Sequence, residues 1–196
     1  MSGFFSSLMT MLLTVYMTFG GTAAASAAPE EAATEFLKGV SAGTPSVTEQ
    51  YVDNDYMNLL VNCTGDADVV ADMNAVLFKN FSYRITDSAA RGNVAVVQLQ
   101  IKTDDFSKVL DTYENDSYEF VSENLYDDVV TDKEKLSAKC LEIYVEDLKK
   151  TAGDDPDLET VLYLPMKSDG YGNWDILLND KIMKTLLGGL QLPVEE

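Results

Sequence analysis

Residues Phe81 to Thr103, FSYRITDSAARGNVAVVQLQIKT, change the period of the chain and so decide its fold. Phe81, Tyr83 and Ile85 alternate with Ser82, Arg84 and Thr86, and Val97, Leu99 and Ile101 alternate with Gln98, Gln100 and Lys102. A period of two places one set on a buried face and the other in water, which is the signature of paired strands. The polar stretch Asp87 to Asn93 between the two runs predicts a hairpin turn. Val94 and Val96 have the opposite parity to Val97, which predicts a bulge near Val96 and a curved sheet.

Upstream of this hairpin the spacing is helical. Ala32, Ala33, Phe36, Leu37 and Val40 follow Pro29 and stop at Gly43-Thr44-Pro45. Ser46-Val47-Thr48-Glu49 reads as a capping box, with Val52, Tyr56, Leu59 and Leu60 as the stripe of a second helix to about Asn62. A third pattern, Val69, Val70, Met73, Val76 and Leu77, starts behind Asp66 or Asp68, where negative charge favours the helix dipole. Downstream, helical spacing returns in Phe106, Val109, Leu110, Tyr113, Phe120 and Val121. It returns again behind Thr131-Asp132-Lys133-Glu134 in Leu136, Cys140, Leu141, Tyr144 and Leu148. A second hairpin is expected from Leu158 to Met166 and from Trp174 to Leu178, turning at Ser168 to Asn173, before a last helix through Ile182 and Leu187 that ends at Gly188-Gly189. Three helices, a hairpin, two helices, a hairpin and a helix describe an α+β domain with a helical insertion between two hairpins.

The first residues read differently. Phe4 to Phe19 is an uncharged apolar run, followed by small residues whose Ala25-Ser26-Ala27 suits signal peptidase. Residues 1–27 are therefore expected to be a secretion segment, with Ala23-Ala24-Ala25 as a second cleavage site, and 28–196 a single domain. Met1-Ser2-Gly3 lacks the basic residue usual in a signal peptide, and the competing reading of the apolar run is an uncleaved membrane anchor, although about 16 apolar residues fall short of the roughly 20 that span a bilayer. No cysteine follows the run, so no lipid anchor is expected.

Composition excludes several functions. With 33 acidic and 14 basic residues the formal charge is −19, all of it from Glu30 onward, which opposes binding to nucleic acid or anionic lipid. The absence of histidine removes Ser-His-Asp, Cys-His and His-metal sites. Cys63 and Cys140, in no CxxC arrangement, either pair in an oxidising compartment or sit as two buried thiols. Asp53-Asn54-Asp55 and Asp66-Ala67-Asp68 with Asp72 lack the spaced loop of a calcium site and read as helix starts, so no metal and no cofactor is expected. Asp169-Gly170-Tyr171-Gly172-Asn173 reads as turn chemistry, with Trp174 behind it as a core anchor.

Glu30 to Val40, Asp104-Asp105-Phe106-Ser107-Lys108-Val109-Leu110 and Gly172-Asn173-Trp174-Asp175-Ile176 resemble segments of secreted proteins with the nuclear transport factor 2-like, cystatin-like fold, exported proteins and lipoproteins of Gram-positive bacteria with no known function. The resemblance covers most of Ala28 to Leu190 and implies N-terminal helices packed across a curved antiparallel sheet to form a cone. It brings no catalytic signature, and the bacterial setting discounts the glycosylation sequons at Asn62, Asn80 and Asn115. Near the cavity of such a cone, Tyr51, Tyr56, Tyr83, Asp87 and Asp104 have suitable chemistry, although with ten tyrosines in the chain, buried tyrosine as packing with one satisfied hydroxyl is the better account. The leading expectation is a non-catalytic extracytoplasmic domain offering a pocket or sheet face to a small ligand or protein partner. The alternatives are a small isomerase- or hydratase-like enzyme using Asp or Tyr in the cavity, and a membrane-anchored assembly module.

Overall fold

The structure is a computed structural model and describes residues 28–62 and 67–193. The chain is α+β. It begins with α1 (Pro29–Ser41), a short α2 (Pro45–Thr48), a 3-10 turn (Glu49–Tyr51), α3 (Asp55–Asn62) and α4 (Ala67–Leu77), and then enters the hairpin β1 (Ser82–Arg91) and β2 (Val94–Thr103). The insertion α5 (Val109–Glu123), α6 (Asp128–Thr131) and α7 (Lys133–Thr151) leads to β3 (Leu158–Ser168), β4 (Trp174–Ile176) and α8 (Asp180–Leu186). The strands form one antiparallel sheet in the order β1-β2-β3-β4, so the second hairpin joins the first through β2 and β3.

One face of the sheet carries the core. Val97, Leu99, Ile101, Leu164 and Met166 are sealed there with Leu37 of α1, Met57 of α3, Leu148 of α7 and Met183 of α8 in one cluster. At about 25 cal/mol per Å² of apolar surface, this shared burial is the main force holding helices to sheet. The other face is polar: Arg84 donates to Gln100, Gln100 to Glu159, and Lys102 pairs with Glu159 at 3.1 Å.

The bulge lies on β1, between Ile85 and Asp87, and not near Val96. Val96 keeps an unbroken register with β3 and is buried on the outer face, between its ladder partners Ala89 and Pro165. Its parity therefore marks a small second apolar cluster. The first turn is also tighter than Asp87 to Asn93, because β1 continues to Arg91 and only Gly92-Asn93 connects the strands. Gly92, at φ +61°, supplies the left-handed first position that a two-residue loop favours. At the sheet's other side β4 stops at Ile176, short of Leu178. Leu177 N–H bonds Pro165 carbonyl at 2.8 Å, but Pro165 has no N–H to return, so the ladder ends there.

The expected helix from Ser46 to Asn62 is broken at Val52–Asn54. Asn54 caps α3 by accepting Met57 N–H at 3.2 Å, so Asp53-Asn54-Asp55 is a helix start, as its composition suggested. Likewise α7 is capped by Asp132, which accepts Glu134 and Lys135 N–H, and not by Thr131. The Asp169 carboxylate gathers the N–H groups of Tyr171 and Asn173 and closes the second hairpin. The secretion-segment reading and Cys63 lie outside the described residues. Among the described residues no helix is long and apolar enough to cross a membrane.

Candidate functional site

The five residues singled out for a cavity do not converge. Tyr51, at the end of the 3-10 turn, accepts Ile176 N–H from β4 at 3.3 Å and packs edge-on against Phe36, with ring centroids 5.4 Å apart. Burial pushes its hydroxyl above the ordinary tyrosine value, against the opposing effect of the Ile176 bond and aided by the negative charge of Asp175. Tyr56 is buried on α3 and gives its hydroxyl proton to Leu190 carbonyl at 2.9 Å. Burial, then the charges of Asp180 and Asp55, raise its pKa.

Tyr83 is half-buried on β1 beside Phe81, with centroids 6.0 Å apart. Asp87 stands at the bulge and accepts the N–H of Ser88 at 2.8 Å. Asp104, at the end of β2, is only 2% exposed and receives the Asn80 amide on both oxygens, at 3.0 and 3.1 Å. The same amide reaches Gly153 carbonyl at 3.0 Å, so Asp104 and Asn80 clamp three chain segments, and the Asn80 sequon nitrogen is occupied.

Of these five, Tyr51 lines a cleft. It is about 270 Å³ and is bounded by α1, the 3-10 turn and β4. Phe36, Tyr51 and Trp174 supply aromatic walls, and Glu31, Glu35 and Asp175 form an acidic rim. Trp174 is half-buried, its indole nitrogen has no acceptor among the described residues, and it lines the cleft, so the expected core anchor is a cleft wall as well. The helix brings Glu31 and Glu35 to one side because they are four apart, and Ala32 and Phe36 lie one residue on, turned toward the sheet. Nothing in the sequence singled out that acidic pair, whose signal is the i, i+4 spacing next to an aromatic that must pack.

A larger groove of about 630 Å³ lies between α4, α5 and α7. It too is acidic, but its lysines are already engaged: Lys149 with Asp72 at 2.9 Å, Lys139 with Glu142 at 2.8 Å, and Lys150 with Asp116 at 2.9 Å. Exposed pairs of this kind are screened by water, contribute little to stability and give a helix surface its solvated finish. Beneath them Asp147 is fully buried, bonded to Lys150 at 2.7 Å, with its second oxygen lacking a conventional partner. Burial raises the Asp147 pKa in spite of Lys150, and the neighbouring Asp116 carboxylate raises it further. The Lys150 ammonium thus meets both aspartates, at 2.9 Å from Asp116 and 2.7 Å from Asp147, an arrangement that joins α5 to α7.

Cys140 has a free thiol beside the hydroxyl of Tyr113, whose pKa is pushed up to about 12 by burial and by that thiol. Among the described residues no cluster of His, Cys, Asp or Glu is arranged to hold a metal ion.

No protein-family model matches the chain, and no curated protein matches it. Among solved structures it is similar to a chain described as a lipoprotein (ycdA) of Bacillus subtilis, at 21% identity with a TM-score of 0.42. That match covers 92% of this chain, which spans 55% of the length of the other.

Proposed function

We propose that the chain is an exported bacterial binding or accessory domain that acts without catalysis, holding a small ligand in the cleft between α1, the 3-10 turn and β4. The observation that carries this reading is the cleft itself, an aromatic-walled opening of about 270 Å³ with an acidic rim. Small-ligand sites are concave, mostly apolar and carry a few polar groups, in cavities from roughly 300 Å³ upward, so this cleft suits a compact molecule. Export rests on the apolar run Phe4 to Phe19 and the small residues behind it, with 28–196 as the mature domain. The cystatin-like, nuclear transport factor 2-like assignment rests on the segment resemblances together with helices laid on one face of an antiparallel sheet. The want of histidine and the dispersal of Tyr56, Tyr83, Asp87 and Asp104 favour binding over an isomerase or hydratase.

Two measurements test the proposal. Intact mass of the protein recovered from culture medium should place the N-terminus at Ala28 or Ser26, and a full-length chain recovered from the membrane fraction would contradict export. A fragment screen followed by NMR should map its hits to α1 and β4 with ligand signals unchanged over hours. Hits elsewhere, or ligands consumed, would contradict a binding site in this cleft.

A further inference from the structure

We infer that the cleft is selective for a small organic cation, an alkylammonium group seated between Phe36, Tyr51 and Trp174 and held by Glu31, Glu35 and Asp175. The inference rests on the proposed binding role and names the ligand class. Three observations carry it.

The first is charge. The rim carries three carboxylates, and among the described residues no lysine or arginine lines the cleft. The larger groove differs in carrying three lysines among its carboxylates, each of them paired with one. Glu31 and Glu35 are like charges at i, i+4 on α1, an arrangement that repels and so disfavours the helix. Among the described residues no ion pair relieves either one, and Asp175 has only the neutral Gln50 amide, at 3.2 Å. An uncompensated anionic rim beside apolar walls attracts a cation and repels an anion.

The second is the kind of cation. The rim carboxylates do not converge on a point, since no metal-holding group exists among the described residues, so they suit a diffuse charge. The third is the walls. Phe36 and Tyr51 meet edge to face at 82°, which fixes the two rings at an angle around the space, and the indole of Trp174 stands across from α1 on β4. Aromatic faces attract cations through the ring quadrupole, most strongly for indole, and alkylammonium groups surrender their hydration more readily than compact ions. Tyr51 stays a neutral phenol, because burial holds its pKa above the ordinary value, so it adds no charge of its own.

Trp174 is the only tryptophan in the sequence, so its fluorescence reports the cleft directly. Purified protein would be titrated with choline, with its uncharged isostere 3,3-dimethyl-1-butanol, and with acetate as the anionic probe. Saturable change in Trp174 emission is expected with choline, about tenfold weaker with the isostere and absent with acetate. The double variant Glu31→Gln with Glu35→Gln should weaken choline binding about tenfold while leaving the melting temperature within a degree or two. If the isostere or acetate binds as well as choline, the cation class is overturned and the binding site stands. If no probe moves Trp174 emission, both are overturned. Choline binding that survives the double variant unchanged would place it elsewhere on an acidic surface and overturn the inference.

Discussion

Gly188 shows at the scale of one residue how closely the segments of this chain approach. It follows α8 at φ +61°, and a β-carbon built on it would lie 1.9 Å from Asp104 carbonyl. Its own carbonyl accepts Phe106 N–H at 2.8 Å, so the turn that ends the last helix is pressed onto the start of the insertion. Alanine here meets both a disfavoured backbone conformation and a clash with backbone that cannot rotate away. Gly188→Ala should therefore destabilise the domain by about 2–4 kcal/mol, read as a shift in the urea midpoint at constant slope. An unchanged midpoint would mean the approach is looser than described. The Gly188-Gly189 helix stop was legible in the sequence because glycine after an apolar helical stripe has few other uses. Its contact with Asp104 was not, since a close approach between residues 84 apart leaves no local pattern, and Asp104 consequently read as a cavity carboxylate.

Among elements, the pairing of α5 with α7 has a predicted pH dependence. Asp147 has a raised pKa in the folded state, so the native chain holds that proton more tightly than the unfolded chain does. Its contribution to stability is then complete below the ordinary aspartate value of 3.8 and is lost as pH rises through the raised folded value. Asp147→Asn keeps an acceptor for Lys150 and removes the cost of burying an ionised carboxylate. The variant should be at least as stable as the parent at pH 7. Its advantage should shrink as pH is lowered toward 4, measured as the difference between urea midpoints across that range. A variant less stable at every pH would show that the ionised carboxylate is required.

At α3, Asn54→Ala removes the cap on Met57 and the 2.8 Å bond to Asp180, and should cost about 1 kcal/mol by the same assay, whereas Asn54→Asp should recover the cap. The elements themselves were readable because their apolar period is strong. The break at Val52–Asn54 was not, because the stripe Val52, Tyr56, Leu59 and Leu60 is continuous across it, and only the capping chemistry of Asn54 reveals the new start. The bulge falls on β1 and not on β2 for a related reason. Val96 has the parity of an outward residue and the chemistry of an inward one, and the sequence does not show that Ala89 and Pro165 wait to bury it.

For the whole molecule, the two cysteines offer a test of long-range arrangement. Cys140 is half-buried against Tyr113, and a bond to Cys63 would close a loop of the kind that stabilises a chain by up to about 4–5 kcal/mol. Thiol labelling of denatured, unreduced protein should find two reactive thiols per chain, in keeping with the free Cys140, and none would establish the bond.

The candidate site was only partly legible, and the reason is geometric. Tyr51 was singled out for its chemistry and does line the cleft, but its companions come from α1 and from the far end of the sheet, and only the folded chain brings Glu31, Glu35 and Trp174 to it. Trp174 read as a core residue because a tryptophan between a turn and an apolar strand usually is one. Its place at the edge strand, where β4 ends early against Pro165, leaves one side of the ring at the cleft.

That single tryptophan also gives the most direct test of a ligand site between α1 and β4, because a proton–nitrogen correlation spectrum of the protein contains one indole cross-peak. On titration with choline the peak should move saturably, together with the backbone amides of Ala32, Phe36, Val47 and Ile176 that surround it. An indole peak that stays fixed while amides of the groove between α4, α5 and α7 shift would contradict the account.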